Sequence, residues 1–199
     1  MKILNLFIVA AVSTALVSFN LNDKKETKKH QNVITLDATN STLGWKGGSS
    51  ATNFHVGTLK FKDGSVAMEH GAMVSGVFNI DLATMTCTDA GMPKEKQEGL
   101  VKHLKNEDFF NVAKFATVKV TTGSYKDGKL ATTINIMGVD IQQEIPVTIV
   151  ETDKGTKITG KFDVDFAAAK IPGTQAHEGD KETISSIFSF DLNLVLKSH

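Results

Sequence analysis

The alternation of apolar and polar residues over long segments is the feature that most constrains the fold of this chain. Between residues 72 and 82, Phe78, Ile80 and Leu82 fall on one face of an extended strand, and polar residues such as Asn79 fall on the other. Several such strands build an antiparallel sheet with one apolar face, and closing that sheet encloses an apolar lumen. A sandwich with a core filled by Phe side chains is the alternative from pattern alone.

The strand candidates are bounded by turn signals. They cover residues 33–38, 54–61, 65–68, 72–82, 115–125, 129–137, 141–150, 157–166 and 184–196. Asp63-Gly64, Asp127-Gly128 and the segment 153–155 are typical of tight turns between them. Because the last candidate is strongly apolar on one face, we expect it to pair back to the first strands instead of forming an open edge.

One segment departs from the strand period. Between Pro93 and Lys105 the apolar residues lie at helical spacing, and proline suits a first helical turn. The sequence therefore predicts one short helical insert. Phe109 and Phe110 follow it, and we expect this aromatic pair to shape one mouth of the barrel.

Composition narrows the class of partner. The chain has 22 basic and 22 acidic residues, and every basic one is Lys. Without Arg, which grips phosphates and guanine edges bidentately, and without net positive charge, no nucleic-acid partner is expected. Cys87 is the single cysteine, so it forms no internal disulfide and belongs to no cysteine-based zinc motif.

The first residues are typical of an export signal. Lys2 precedes an apolar run from Ile3 to Val12, and small residues follow at Ser13 to Ala15. We interpret residues 1–20 as a signal peptide, 21–32 as a charged flexible leader and 33–199 as the folded domain. An uncleaved membrane anchor is the alternative. No cysteine lies near the cleavage point for lipid attachment, so a periplasmic or secreted location is expected.

The titratable residues do not form a recognisable catalytic motif. The six His residues lack metal-ligand spacing, and neither a GxSxG elbow nor a phosphate loop is present, so the sequence predicts no catalytic residue, no metal and no cofactor. Asp81, Asp89 and Asp108 flank the predicted helix. Together with His55 and His103 they leave acid/base catalysis open as an alternative function.

The order and spacing of several motifs resemble the YceI-like family of exported bacterial proteins. The similar pieces are Trp45–Gly47 with His55-Val56-Gly57, the segments 62–65 and 76–82, Asp89, His103-Leu104 with Asp108-Phe109-Phe110, and the segment 136–139. The resemblance implies a lipocalin-like antiparallel β-barrel with a helical insert whose lumen holds a polyisoprenoid or fatty-acyl chain. Where family members often carry an Asp-Arg pair, this chain has Asp163-Val164-Asp165-Phe166, which puts the ligand's head group in doubt.

The predicted function is therefore that of an exported, non-catalytic carrier or scavenger of a long apolar ligand. The predicted ligand-binding residues are the large apolar side chains assigned to the lumen and its mouth: Phe54, Phe61, Phe78, Ile80, Phe109, Phe110, Ile134, Ile136, Phe162, Val164, Phe188 and Phe190. An enzyme and a filled interaction module without ligand are the alternatives. Transient membrane contact and a homodimer both stay open.

Overall fold

The computed structural model describes residues 32–70, 72–153, 155–176 and 182–197. The predicted signal peptide, and the leader apart from Asn32, lie outside the described residues. Within the described ranges, no helix combines the length and the apolar character needed to cross a membrane.

The described residues form ten strands and one α-helix. In chain order the elements are β1 (Asn32–Thr35), β2 (Thr42–Gly48), β3 (Phe54–Glu69), β4 (Ala72–Cys87), α1 (Lys94–Lys105), β5 (Thr117–Lys126), β6 (Lys129–Ile136), β7 (Val139–Pro146), β8 (Thr148–Thr152), β9 (Gly155–Asp165) and β10 (Ile187–Val195). Short 3₁₀ turns at Ala167–Ala169 and Pro172–Thr174 lie between β9 and β10.

All strand pairs are antiparallel and belong to one curled sheet. The strand order is β7-β6-β5-β4-β3-β2-β10-β9-β8, and β1 pairs with β3 away from this path. The last strand pairs with β2, and Leu196 forms a bridge with Leu36, so the C-terminal strand does return to the first strands. The lipocalin-like antiparallel barrel with one helical insert, which the sequence predicts, is confirmed.

The curled sheet closes between β7 and β9 by side-chain and backbone contacts. The side-chain amide of Gln143 on β7 donates a hydrogen bond to the carbonyl of Asp163 on β9 (3.2 Å). Gly160 on β9 leaves room for the backbone at the end of β7, because a Cβ there would lie 2.5 Å from the carbonyl oxygen of Pro146. This contact, which we call the seam, brings the two ends of the sheet together.

The predicted turn at Asp63-Gly64 is wrong. β3 continues through this point as far as Glu69, and the chain reverses only between Glu69 and Ala72. The register with β4 shifts between Phe61 and Asp63, as in a β-bulge. Gly64 is needed for packing, since a Cβ there would lie 2.6 Å from the ring of Phe78.

Glycine and proline explain two further differences from the sequence prediction. β2 was not predicted because three of its seven residues are glycine, yet a Cβ at Gly47 would lie 2.5 Å from the ring of Phe188, so the glycine there accommodates a core side chain. The single strand predicted over 141–150 is divided at Val147. Pro146 has no N–H for the sheet, and the N–H of Val147 bonds instead to the carbonyl of Gly128 (2.9 Å).

Candidate functional site

The interior of the barrel contains an apolar cavity with a volume of about 110 Å³. A well-packed core has few voids larger than a water molecule, so this interior is not completely filled. Eight strands, the helix and the segments next to them line the cavity through Leu43, Trp45, Leu59, Phe61, Phe78, Ile80, Leu82, Met85, Leu104, Phe110, Val118, Val120, Thr122, Leu130, Thr132, Ile134, Ile136, Ile145, Val147, Phe162, Val164, Phe166, Phe188, Phe190, Leu192 and Leu194.

Two of these lining residues are polar, and no charged side chain of the described residues is among them. The polar ones are Thr122 on β5 and Thr132 on β6. Burying an ion in such surroundings costs free energy, whereas burying a methylene chain gains about 0.8 kcal/mol per CH₂. The cavity is therefore suited to an uncharged, mostly hydrocarbon group.

The structure places ten of the twelve sequence-predicted residues on the cavity wall. These ten are Phe61, Phe78, Ile80, Phe110, Ile134, Ile136, Phe162, Val164, Phe188 and Phe190. They lie there because strands alternate their faces, so residues at even spacing on β4, β6, β9 and β10 share the inward side. Their contact with a ligand stays a prediction.

Phe54 lies outside the cavity, contrary to the sequence prediction. It is the first residue of β3 and is 37% exposed, with the ammonium of Lys46 lying 3.7 Å from its ring centroid. Phe54 and Phe61 are seven residues apart, so a regular strand places them on opposite faces. Phe61 is the one that points inward.

Phe109 is buried but does not line the cavity. Its ring contacts the rings of His103 (5.2 Å between centroids) and Phe110 (6.1 Å). Gly173 packs directly against it, and the N–H of Gly173 bonds to the carbonyl of Asp108 (2.6 Å). Phe109 thus supports the position of Phe110, which is the member of the pair that lines the cavity.

The helix closes one end of the cavity. Leu104 of α1 and Phe110 line it, and the backbone N–H of Phe110 bonds to the carbonyl of Leu104 (3.1 Å). Lys105 anchors the helix by donating to the carbonyl of Ala83 on β4 (2.7 Å). We call this region the helix end of the barrel.

The other sixteen lining residues are not among the ligand-binding residues predicted from the sequence. Most of them, such as Val118 and Val120, continue the inward rows of strands that it did identify, so strand alternation could have found them. Leu43 and Trp45 were missed because β2 was not predicted. Thr122 and Thr132 were missed because a Thr at an apolar position of a strand carries no distinct signal.

Of the titratable residues considered for acid/base catalysis, His55 and Asp89 pair with each other, and His103 has a different neighbour. His55 Nδ1 lies 2.6 Å from Asp89 Oδ2, and the N–H of Val56 donates to Asp89 Oδ1 (2.8 Å). Burial alone would raise the pKa of Asp89, but the hydrogen bonds from His55 and Val56 outweigh burial and hold that pKa below its ordinary value. His103 instead contacts Phe109.

Cys87 and the metal-binding side chains do not form a metal site in the described part of the chain. No group of three or more His, Cys, Asp or Glu side chains there is arranged to hold an ion. Burial raises the pKa of the Cys87 thiol, and the nearby Asp89 carboxylate acts in the same direction through its charge. The thiol is therefore kept protonated and unreactive.

The fold and the cavity together define a class: antiparallel β-barrels with an apolar interior closed at one end by a helical insert. Within that class the chain belongs to the YceI-like family, since the sequence profile of the YceI-like domain matches residues 34–195.

Two solved structures share this fold at low sequence identity. BcnA from Burkholderia cenocepacia is 15% identical with a TM-score of 0.64, covering 80% of this chain and 98% of its own. A polyisoprenoid binding domain from Saccharophagus degradans, implicated in plant cell wall breakdown, is 14% identical with a TM-score of 0.60, covering 83% of this chain and 98% of its own. No curated protein sequence matches the chain.

Proposed function

We propose that this protein is an exported, non-catalytic carrier or scavenger that holds a long apolar ligand, of the polyisoprenoid or fatty-acyl type, inside the barrel. The observation that carries this proposal is the cavity wall, which consists of apolar side chains apart from two threonines. The YceI-like family and the polyisoprenoid binding domain with the same fold support a lipid ligand. The signal-like N-terminal sequence supports export.

A row of aromatic rings favours a flexible chain as the occupant. Phe110 and Phe188 have ring centroids 6.1 Å apart, and the row continues from Phe188 to Phe166 (5.6 Å) and on to Phe190 (6.0 Å). Rings offer large apolar surfaces that stay rigid while a hydrocarbon chain adapts to them. An extended ligand would lie along this row from the helix end inward.

The first experiment is native mass spectrometry of the protein purified from its own host without detergent, followed by solvent extraction. We expect a stoichiometric adduct that extracts as a long-chain lipid, and a polypeptide mass that corresponds to cleavage near residue 20. A protein without adduct that stays so after incubation with long-chain lipids would contradict the carrier function. A mass that includes residues 1–20 in an exported fraction would contradict cleavage.

A matched pair of variants tests where the ligand lies. Ile134→Trp adds volume to the cavity wall, and Thr133→Trp adds the same side chain to the opposite face of β6. We expect Ile134→Trp to lose the adduct and Thr133→Trp to retain it. Equal retention by both would show that the lipid binds outside the cavity.

A further inference from the structure

The interior of the barrel is smaller than a long lipid requires. The cavity has a volume of about 110 Å³, whereas an engineered protein cavity of about 150 Å³ holds a single benzene molecule. A long-chain lipid therefore fits only if part of the wall moves outwards to admit it. Such movement is easiest where the fewest hydrogen bonds hold neighbouring strands together.

The seam is the strip of the wall that lacks a backbone ladder. Strands that are adjacent along the path from β7 to β8 are joined by backbone hydrogen bonds, whereas β7 and β9 share no backbone pairing in the described ranges. At one end of the seam Gly160 packs against the carbonyl of Pro146, and at the other the turn Ala167–Ala169 lies beside β7. Side chains hold the two strands together between these points.

Gln143 bridges this strip by donating its side-chain hydrogen bond to the carbonyl of Asp163 (3.2 Å). It pairs with Thr132, a buried residue of the cavity wall, and therefore belongs to the inward row of β7 between Ile141 and Ile145. Packing alone favours an apolar residue at such a position. The glutamine instead supplies a hydrogen bond of the kind that the backbone provides between the other strands.

Solvent reaches the inward row of β7 at the seam. Gln143 and Ile141 are only partly buried and do not line the cavity, so their accessible surface faces the outside. Phe162, on β9, is also partly buried but does line the cavity. Its ring lies 5.8 Å from that of Phe190, where the row of aromatic rings that starts at Phe110 ends. A continuous apolar path thus leads from the seam to the helix end.

We propose that the seam is the portal through which a lipid enters and leaves the barrel, and that the hydrogen bond from Gln143 to Asp163 breaks when the portal opens. β7 moves away from β9 while the backbone ladders of the other strands stay intact, so the barrel admits a chain without unfolding. This inference rests on the proposed lipid-binding function. It adds the route of exchange and the residue that controls its rate.

The test compares Gln143→Ala with two controls. Gln142→Ala shortens the neighbouring side chain, which is exposed on the outer face of β7. Lys105→Met removes a different hydrogen bond from a side chain to a carbonyl, the one that anchors the helix at Ala83, and so tests entry past the helix end. Delipidated proteins are mixed in a stopped-flow fluorimeter with cis-parinaric acid, a straight-chain probe, or with a fluorescent farnesol derivative, an isoprenoid probe.

We expect Gln143→Ala to raise the association and dissociation rate constants together, by about two- to tenfold. The dissociation constant should stay unchanged, because the hydrogen bond closes the seam in both the empty and the loaded protein. Both controls should exchange lipid at the wild-type rates. Unchanged rates in Gln143→Ala, a change in its dissociation constant alone, or faster exchange in either control would overturn the portal and leave lipid binding intact.

Urea unfolding of the unliganded proteins separates local opening from general loosening. Gln143→Ala and Lys105→Met each lose one side-chain hydrogen bond, so general loosening predicts faster exchange in both, and the portal predicts it in the first alone. If Gln143→Ala does not fold, Gln143→Met takes its place, since methionine keeps the length of the side chain without the amide. Failure of the wild type to bind either probe would contradict the proposed function itself, and the portal with it.

Discussion

Asp89 joins two parts of the barrel that are far apart in sequence. Its carboxylate accepts hydrogen bonds from the side chain of His55 and the backbone of Val56, and so holds the start of β3 to the segment after β4. Its side chain is only 15% exposed. Because an ionised carboxylate can only accept, His55 Nδ1 must carry the proton in this pair. The pair therefore stabilises the contact between the start of β3 and the segment after β4, which we call the rim of the barrel.

Asp89→Asn should reduce the free energy of unfolding by about 1.5–3 kcal/mol at neutral pH, since hydrogen bonds to a charged group are lost or weakened. The pKa of folded Asp89 lies below the ordinary value of 3.8. The stabilisation is thus complete above that unfolded-state value and is lost as the pH falls through the folded-state value. Urea unfolding of the wild type and Asp89→Asn should be measured from neutral pH to below pH 3.8. The difference between their free energies of unfolding should disappear at the acidic end.

Asp191→Asn provides the control for this measurement. Asp191 forms an ion pair with Lys161 (3.0 Å) in which both side chains are well exposed. Such surface pairs contribute about 0–1 kcal/mol, so the control should unfold almost like the wild type. If Asp89→Asn behaves like this control at neutral pH, the carboxylate does not stabilise the rim.

Single residues show where sequence reasoning reaches its limit. The sequence does not show that His55 pairs with Asp89, because Asp89 is 34 positions away and approaches only through the pairing of β3 with β4. The sequence likewise does not show that the hydroxyl of Thr122 has no hydrogen-bond partner among the described residues. Whether a threonine hydroxyl has a partner depends on atoms of neighbouring strands, which residue type alone does not specify.

Among the elements, the seam between β7 and β9 requires a glycine at position 160 for the two strands to approach each other. A Cβ at Gly160 would lie 2.5 Å from the Pro146 carbonyl oxygen and 3.2 Å from a Val147 methyl group. The carbonyl is backbone and cannot rotate away as a flexible side chain would. Any larger residue must therefore push the two strands apart.

Gly160→Ala should lower the free energy of unfolding by about 1–3 kcal/mol through this overpacking. Gly123→Ala is the matched control, because its Cβ would meet the side chain of Ala131 at an ordinary 3.8 Å. We expect the control to be neutral or more stable by about 0.4–1 kcal/mol, since alanine restricts the unfolded chain. Equal midpoints for the two variants in urea unfolding would show that the seam does not constrain the barrel.

The elements were predictable to the extent that alternation and turn chemistry determine them. The helix begins at Lys94 after Pro93, and the Asp127-Gly128 hairpin has positive φ at both residues, as the sequence indicates. Two of the errors share one cause. At Gly47 and Gly64, glycine makes room for a phenylalanine ring from elsewhere in the fold, so a residue typical of turns lies within a continuous strand.

At the scale of the whole molecule, closure of one curled sheet produces the apolar interior. Alternation predicts which face of each strand is apolar, but it does not reveal whether the enclosed space is full. That outcome depends on the volumes of all the inward side chains together, and here they leave a narrow cavity. The sequence thus predicts the wall, and only the assembled barrel shows the space inside it.

A narrow cavity of this kind makes affinity depend on ligand length. Each methylene that enters contributes about 0.8 kcal/mol, so in a series of straight-chain alcohols the dissociation constant should fall about fourfold per added carbon. The gain should stop once the chain reaches Leu104 and Phe110 at the helix end, because further carbons stay in water. Ile134→Trp, if it still binds, should reach its plateau with a shorter alcohol, since the added ring occupies part of the path. Displacement titrations across the series measure both plateaus, and an affinity independent of chain length would place the ligand on the surface instead of inside the barrel.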